Sequence, residues 1–188
     1  MPKEKGLTLI DLFVAMAISA IMLGLGLPEL QQLILRQKVD VSTRQIFRHL
    51  QKTRELAVLS GNAMIFCGVN AELKCVSEDI TRFVIFFDEN KNGQVDEGES
   101  VASELLIDFP GKIRTNVPRS YFRYFNNGET RPSGSIFLCP KNGDQKLIRR
   151  VSTNFSGRPY IARPAQQGIV LGADRNPINC DGELHPTQ

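Results

Sequence analysis

Lys5-Gly6-Leu7-Thr8-Leu9-Ile10-Asp11-Leu12-Phe13-Val14-Ala15-Met16-Ala17-Ile18 leads into an apolar run from Leu7 to Leu27, in which Asp11 is the single ionisable residue. At about 1.5 Å per residue, a helix from Leu7 to Leu27 is roughly 31 Å long, enough to cross the hydrocarbon core of a bilayer. A short charged leader, Met1-Pro2-Lys3-Glu4-Lys5-Gly6, precedes it. A secretory signal places its small-residue cleavage site after the apolar stretch and loses that stretch on cleavage. Here the small residue, Gly6, comes first, so a cut between Gly6 and Leu7 removes the charges and keeps the apolar helix. This order predicts a subunit held in a membrane and later packed, through the same helix, into a polymer.

Beyond Leu27 the helical period continues. A kink is expected at Pro28, because proline removes one backbone hydrogen bond and crowds the preceding turn. Val39, Thr43, Ile46, Leu50, Thr53 and Ala57 recur at three- and four-residue steps and make one face. Arg36, Lys38, Arg44, Arg48, Lys52 and Arg54 stand opposite and read as a solvated face. Gly61-Asn62 stops the helix. After it the pattern becomes short and β-rich. Ala63–Val69, Arg82–Phe87, Ser100–Asp108, Tyr121–Phe125, Gly134–Leu138, Leu147–Thr153 and Ile169–Leu171 read as strands. Asn126-Asn127-Gly128 and Lys141-Asn142-Gly143-Asp144 read as hairpin turns. A long N-terminal helix packed on an antiparallel sheet is an α+β fold. The expected organisation is a leader over 1–6, a membrane helix over 7–27, an amphipathic continuation over 28–61 and a β-rich domain over 62–188.

The net charge of +3 conceals two blocks. Residues 71–111 hold ten acids against three bases, and residues 112–163 hold eleven bases against two acids. Such blocks either form interaction surfaces or pair with each other across the fold. Lys3 and Lys5 ahead of the span leave the N-terminus in the cytoplasm and export the rest. The chain is thus expected to cross a membrane once, with its C-terminal domain in an exported, oxidising compartment. Four cysteines in that oxidising compartment fit two disulfides, with three possible connectivities. The favoured pairs are Cys67–Cys75, stapling a short hairpin, and Cys139–Cys180, tying down the C-terminal tail. A zinc site is the competing reading. It lacks a Cys-x-x-Cys pair, and His49 and His185 lie far from the cysteines in sequence.

The stretch from Lys5 to Ile18 resembles the class III signal of type IV pilins and pseudopilins. The order of elements resembles the GspH/FimT branch of that superfamily. Three stretches carry the second likeness: Arg82-Phe83-Val84-Ile85-Phe86-Phe87-Asp88-Glu89-Asn90-Lys91-Asn92-Gly93, then Ile136-Phe137-Leu138-Cys139-Pro140, then Phe155-Ser156-Gly157-Arg158. The resemblance implies that a prepilin peptidase cuts after Gly6 and methylates the new terminus at Leu7. It also gives an assembly role to the fifth mature residue, usually Glu and here Asp11, whose carboxylate meets the terminal amine of a neighbouring subunit. The physical need is plain, since a carboxylate in lipid is costly and demands a partner. The implied partners are other minor and major pilins or pseudopilins, the prepilin peptidase, and an inner-membrane assembly platform with its ATPase. The implied function is a minor pilin or pseudopilin of a type IV filament, serving pilus biogenesis with DNA uptake in natural transformation as one role. The alternative is the H-type pseudopilin of a type II secretion system.

Two further constellations bear chemistry. Asp88, Asn90, Asn92, Gln94, Asp96 and Glu99 fit a calcium loop of the form Asp-x-Asn-x-Asn-Gly-x5-Glu, with Gln94 contributing its backbone carbonyl. The competing reading is an Asn-rich hairpin turn held by local side-chain hydrogen bonds. Arg149, Arg150, Arg158 and Arg163 are candidate phosphate contacts, with Tyr160 or Tyr124 to stack on an unpaired base. In the FimT branch a Gly-Arg-x-Arg motif here is linked to DNA capture. This chain has Gly157-Arg158-Pro159-Tyr160, which matches the first arginine only. The opposing reading is a basic rim that pairs with the acidic block or with a neighbouring subunit. The sequence contains no His-Glu-x-x-His, no Gly-x-Ser-x-Gly and no phosphate-binding loop with its lysine, so no enzyme is expected and no cofactor is required. From another class, a membrane-anchored calcium-binding module remains an alternative.

Overall fold

The computed structural model describes residues 9–78, 80, 82–90, 92–96, 98–172 and 174–181. Gly6 and Leu7, the expected cleavage point, and His185 lie outside these residues, as does the side chain of Pro28. The chain divides into two compact units, residues 1–37 and 38–188. One helix, α1 (Leu9–Ser60), supplies the described part of the first unit and opens the second. Helical structure is continuous through position 28.

In the first unit, leucine, alanine and methionine favour helix with little loss of rotamer freedom. The apolar residues surround the helix on every side. Phe13 is 63% exposed and Met22 is 70% exposed.

In the second unit the stripe expected from the sequence is the buried one. Val39, Ile46, Leu50, Thr53 and Ala57 are fully buried, and Thr43 nearly so. Thr43 and Thr53 satisfy their hydroxyls within the helix, donating to the carbonyls of Val39 and His49. Gly61 follows the last helical turn, and among the described residues nine strands come after it. They are β1 (Met64–Val69), β2 (Arg82–Phe87), β3 (Val101–Leu106), β4 (Gly111–Thr115), β5 (Tyr121–Tyr124), β6 (Thr130–Arg131), β7 (Gly134–Pro140), β8 (Arg149–Thr153) and β9 (Pro159–Ile161).

They form two antiparallel sheets where a single sheet is expected from the sequence, with orders β3-β2-β1-β5-β6 and β4-β7-β8-β9. The short connection from β4 to β5 passes from one sheet to the other. Strands β4, β6 and β9 are not foreseen in the sequence reading. Each is short and lies at a sheet edge, where Gly111, Lys112 and Pro159 are tolerated although they score poorly as strand residues. Conversely, Ile169–Leu171 is no strand; it contributes one isolated bridge, Leu171 to Pro177.

A single core joins the helix to both sheets. Ile46, Leu50 and Ala57 pack with Phe66, Phe83, Ile85, Phe122 and Tyr124 of the first sheet and with Ile113, Ile136, Leu138 and Val151 of the second. Phe66 and Phe83 stack with ring centroids 5.0 Å apart. Burial of each large side chain in this core contributes about 1.5–3 kcal/mol.

Candidate functional site

A strand turns alternate side chains to opposite faces, so each sheet also has an outer face. On the first sheet that face carries Ile65, Cys67, Val69, Val84, Phe86 and Tyr121, all buried, with Cys75 and Val95 packed on them. The cover comes from the loop after β1 and the loop after β2. On the second sheet the outer face carries Phe137, Cys139 and Ile148, covered by Ala162, Val170, Ile178 and Cys180 from the C-terminal tail. Disulfides join Cys67 to Cys75 and Cys139 to Cys180, so each staples one cover to its sheet. Arg114 links the two covers: it donates to the carbonyl of Cys180 over 2.6 Å and pairs with Glu78.

The loop from Asp88 to Glu99 is pinned on the first outer face. Asp88 directly follows β2 with its side chain only 2% exposed, and its Oδ2 lies 2.5 Å from Arg123 Nη2 on β5. The same oxygen accepts the Gly93 N–H over 3.1 Å. Arg123 also lies over the Tyr121 ring, 5.6 Å from its centroid. Gly93 has φ +75°, and a Cβ there would fall 2.2 Å from the Tyr121 ring, so only glycine fits.

Within the loop, Asn90 and Asn92 each donate from Nδ2 to Asp96 Oδ2 over 2.6 Å. Their own oxygens accept from the N–H of Asn92 and Gln94. Glu99 reaches back to the N–H of Glu89 and of Asp96. Lys91 and Glu97 lie outside the described residues. Among the described residues no three acidic, histidine or cysteine side chains converge on one point, so any cation here needs amide and backbone oxygens as well.

The four candidate arginines do not form one cluster. Arg149 and Arg150 are adjacent on β8 and face opposite ways. Arg149 shares the face of Val151 and pairs with Asp40 of α1, Nε to Oδ1, at 3.2 Å. It also donates to the carbonyls of Lys146 and Ile148, so it is a structural clamp. Arg150 shares the outer face with Ser152, and Ser152 pairs directly with Tyr160 on β9. Arg150 and Tyr160, which is 47% exposed, therefore lie on one surface; Arg158 and Arg163 are exposed at the two ends of β9.

Gly157 has a structural reason of its own: φ is +71°, and a Cβ would lie 1.9 Å from the Gly128 carbonyl oxygen. That oxygen also accepts a hydrogen bond from Arg54 Nε of α1 over 3.0 Å. The two charge blocks do meet, through Arg123–Asp88 and Arg114–Glu78. No local spacing foretells these pairs, since their members are 35 and 36 residues apart. Asp11 stands exposed in the first described turn of α1.

Among curated proteins, none matches this sequence. Of solved structures, the type IV minor pilin FimU of Pseudomonas aeruginosa is 16% identical, with a TM-score of 0.48, covering 65% of this chain and 90% of that one. A second crystal form of FimU gives 0.49 at 16% identity, with coverage of 67% and 89%. The minor pseudopilin EpsH from the type 2 secretion system of Vibrio cholerae gives 0.48 at 16% identity, with coverage of 66% and 95%. Residues 42–157 match the family described as type II transport protein GspH. That match runs from the buried stripe of α1 through both sheets to Gly157, well over half of the chain, and the chain belongs to the GspH family.

Proposed function

We propose that this chain is a minor subunit of a type IV filament, anchored in the bacterial inner membrane by the apolar part of α1, with its β-rich domain in the periplasm. One observation carries the reading: a single helix joins an apolar stretch that the chain itself leaves unburied to the stripe that forms the core of a GspH-family domain. Apolar surface costs about 25 cal/mol per Å² when moved into water. Transfer from lipid to a filament core avoids that cost, because both settings are apolar. In this scheme prepilin peptidase cuts between Gly6 and Leu7, Leu7 is methylated, Pro28 kinks the helix, and Asp11 meets the amine of the neighbouring subunit. The partners are other minor and major pilins or pseudopilins and the inner-membrane platform beneath.

We place the subunit in pilus biogenesis. DNA contact during uptake is supported by Arg150, Tyr160 and Arg158 on or beside one face. The H-type position in a type II secretion system is the second reading, favoured by the family description itself.

Mass spectrometry of the native polypeptide tests the anchor: the expected product begins at N-methyl-Leu7, and an untrimmed start or loss of the whole apolar stretch sinks it. A deletion strain separates the two systems. Loss of twitching or transformation assigns the pilus, and exoprotein retained in the periplasm assigns secretion. If DNA binds, affinity falls steeply with salt and Arg158→Ala flattens that slope.

A further inference from the structure

The Asp88–Glu99 loop carries negative charge that the domain answers only in part. It holds Asp88, Glu89, Asp96, Glu97 and Glu99 against Lys91. Arg123 and the Gly93 N–H take up one oxygen of Asp88, Oδ2. The other, Oδ1, is buried and has no hydrogen-bond partner. Water would normally solvate such an oxygen, and an ion pair on its neighbour does not replace that solvation. The bond from the Gly93 N–H to Oδ2 ties this carboxylate to the loop that carries Asn90, Asn92 and Asp96.

We propose that the loop binds one calcium ion, independently of how the chain assembles. Asp88 Oδ1 is the anchor; Asp96 and Glu99, whose carboxylates do not converge with it in this structure, are drawn in on binding, while Asn90 and Asn92 supply amide oxygens and Gln94 its backbone carbonyl. Every donor is oxygen, which selects a hard cation over zinc. A short loop of mixed donors suits the flexible coordination of Ca²⁺ better than the strict octahedron of Mg²⁺. Arg123 does not block the site, because it occupies Oδ2. Without the cation, two amide N–H groups sit 2.6 Å from Asp96 Oδ2 and neutralise it in part. Binding turns Asn90 and Asn92 over, so that their oxygens face the ion in place of those N–H groups.

Terbium luminescence on the full chain in detergent micelles tests this. The protein has three tyrosines and no tryptophan, and the Tyr121 ring lies against Gly93. Terbium in the loop therefore emits when tyrosine is excited. Calcium is expected to quench that emission by displacement at about 0.1–1 mM, the range of extracellular calcium modules, and equal magnesium is expected to leave it. Tyr121→Phe should remove the emission but keep the calorimetric heat of calcium binding. Asp88→Asn risks the fold through its ion pair, so Asn92→Ala and Glu99→Gln are the test variants. Each should weaken calcium binding at least tenfold while thermal unfolding in chelator stays unchanged. Absence of terbium emission together with absence of heat at about 10 mM calcium overturns the proposal, as does unaltered affinity in both variants.

Discussion

The two halves of α1 both carry large apolar residues, and these meet opposite fates. Around Phe13 and Met22 the apolar side chains encircle the helix and stay exposed; around Ile46 and Leu50 they keep to one stripe and are fully buried. A helix apolar all round has no inward face within a small domain, whereas a striped helix has one direction to bury. Exposure of the first half is therefore a demand for an apolar environment outside the chain. The second half meets its demand at home, between two sheets.

This contrast makes the halves energetically separate, and substitutions can test that. The largest effect is expected from Leu50→Ala, which should destabilise the domain by about 2–5 kcal/mol in urea unfolding of the full chain in detergent. Leu12→Ala should leave the same transition unmoved; a matching loss would mean the span is part of the domain core.

The disulfides come next. Replacing Cys139 and Cys180 by alanine opens a link between residues 41 apart and should cost about 4 kcal/mol. Replacing Cys67 and Cys75, 8 apart, should cost about 2.5 kcal/mol. Equal losses would show that strain or denatured-state structure outweighs loop length.

Gly157→Ala should cost about 1–3 kcal/mol, because it combines a left-handed backbone with a clash at the Gly128 carbonyl. A neutral result would show that the β8–β9 turn is free to move away from the β5–β6 turn.

The smallest effect concerns Tyr124. Burial raises its phenol well above the ordinary range, against smaller opposing contributions from the Thr153 hydrogen bond and Arg54. The folded state thus holds the proton more tightly than the unfolded chain. Stability from this group is complete below about pH 10 and falls as pH rises above it. Tyr124→Phe should flatten that alkaline decline while costing about 1 kcal/mol at neutral pH. An unchanged alkaline slope would assign the decline to other groups.

Much of the site was legible in the residues, and the gaps have physical causes. The stripe Val39 to Ala57 was readable because burial on a helix imposes a period. The loop from Asp88 was readable because a tight turn alternates its side chains. The arginines were misleading as a set, since neighbours on a strand point to opposite faces and Arg149 belongs to Asp40. Strands β4, β6 and β9 escaped notice because edge strands need little intrinsic propensity once a neighbour offers its hydrogen bonds.

Local pattern alone settled the apolar span, the amphipathic continuation, the helix stop at Gly61 and the α+β class. These follow from periodicity and turn chemistry, which act over a few residues. Tertiary structure decided the division into two sheets, the two stapled covers, the union of Asp88 with Arg123 and the glycine at position 157. Those depend on contacts between segments tens of residues apart, where burial and steric fit rather than spacing choose the partner.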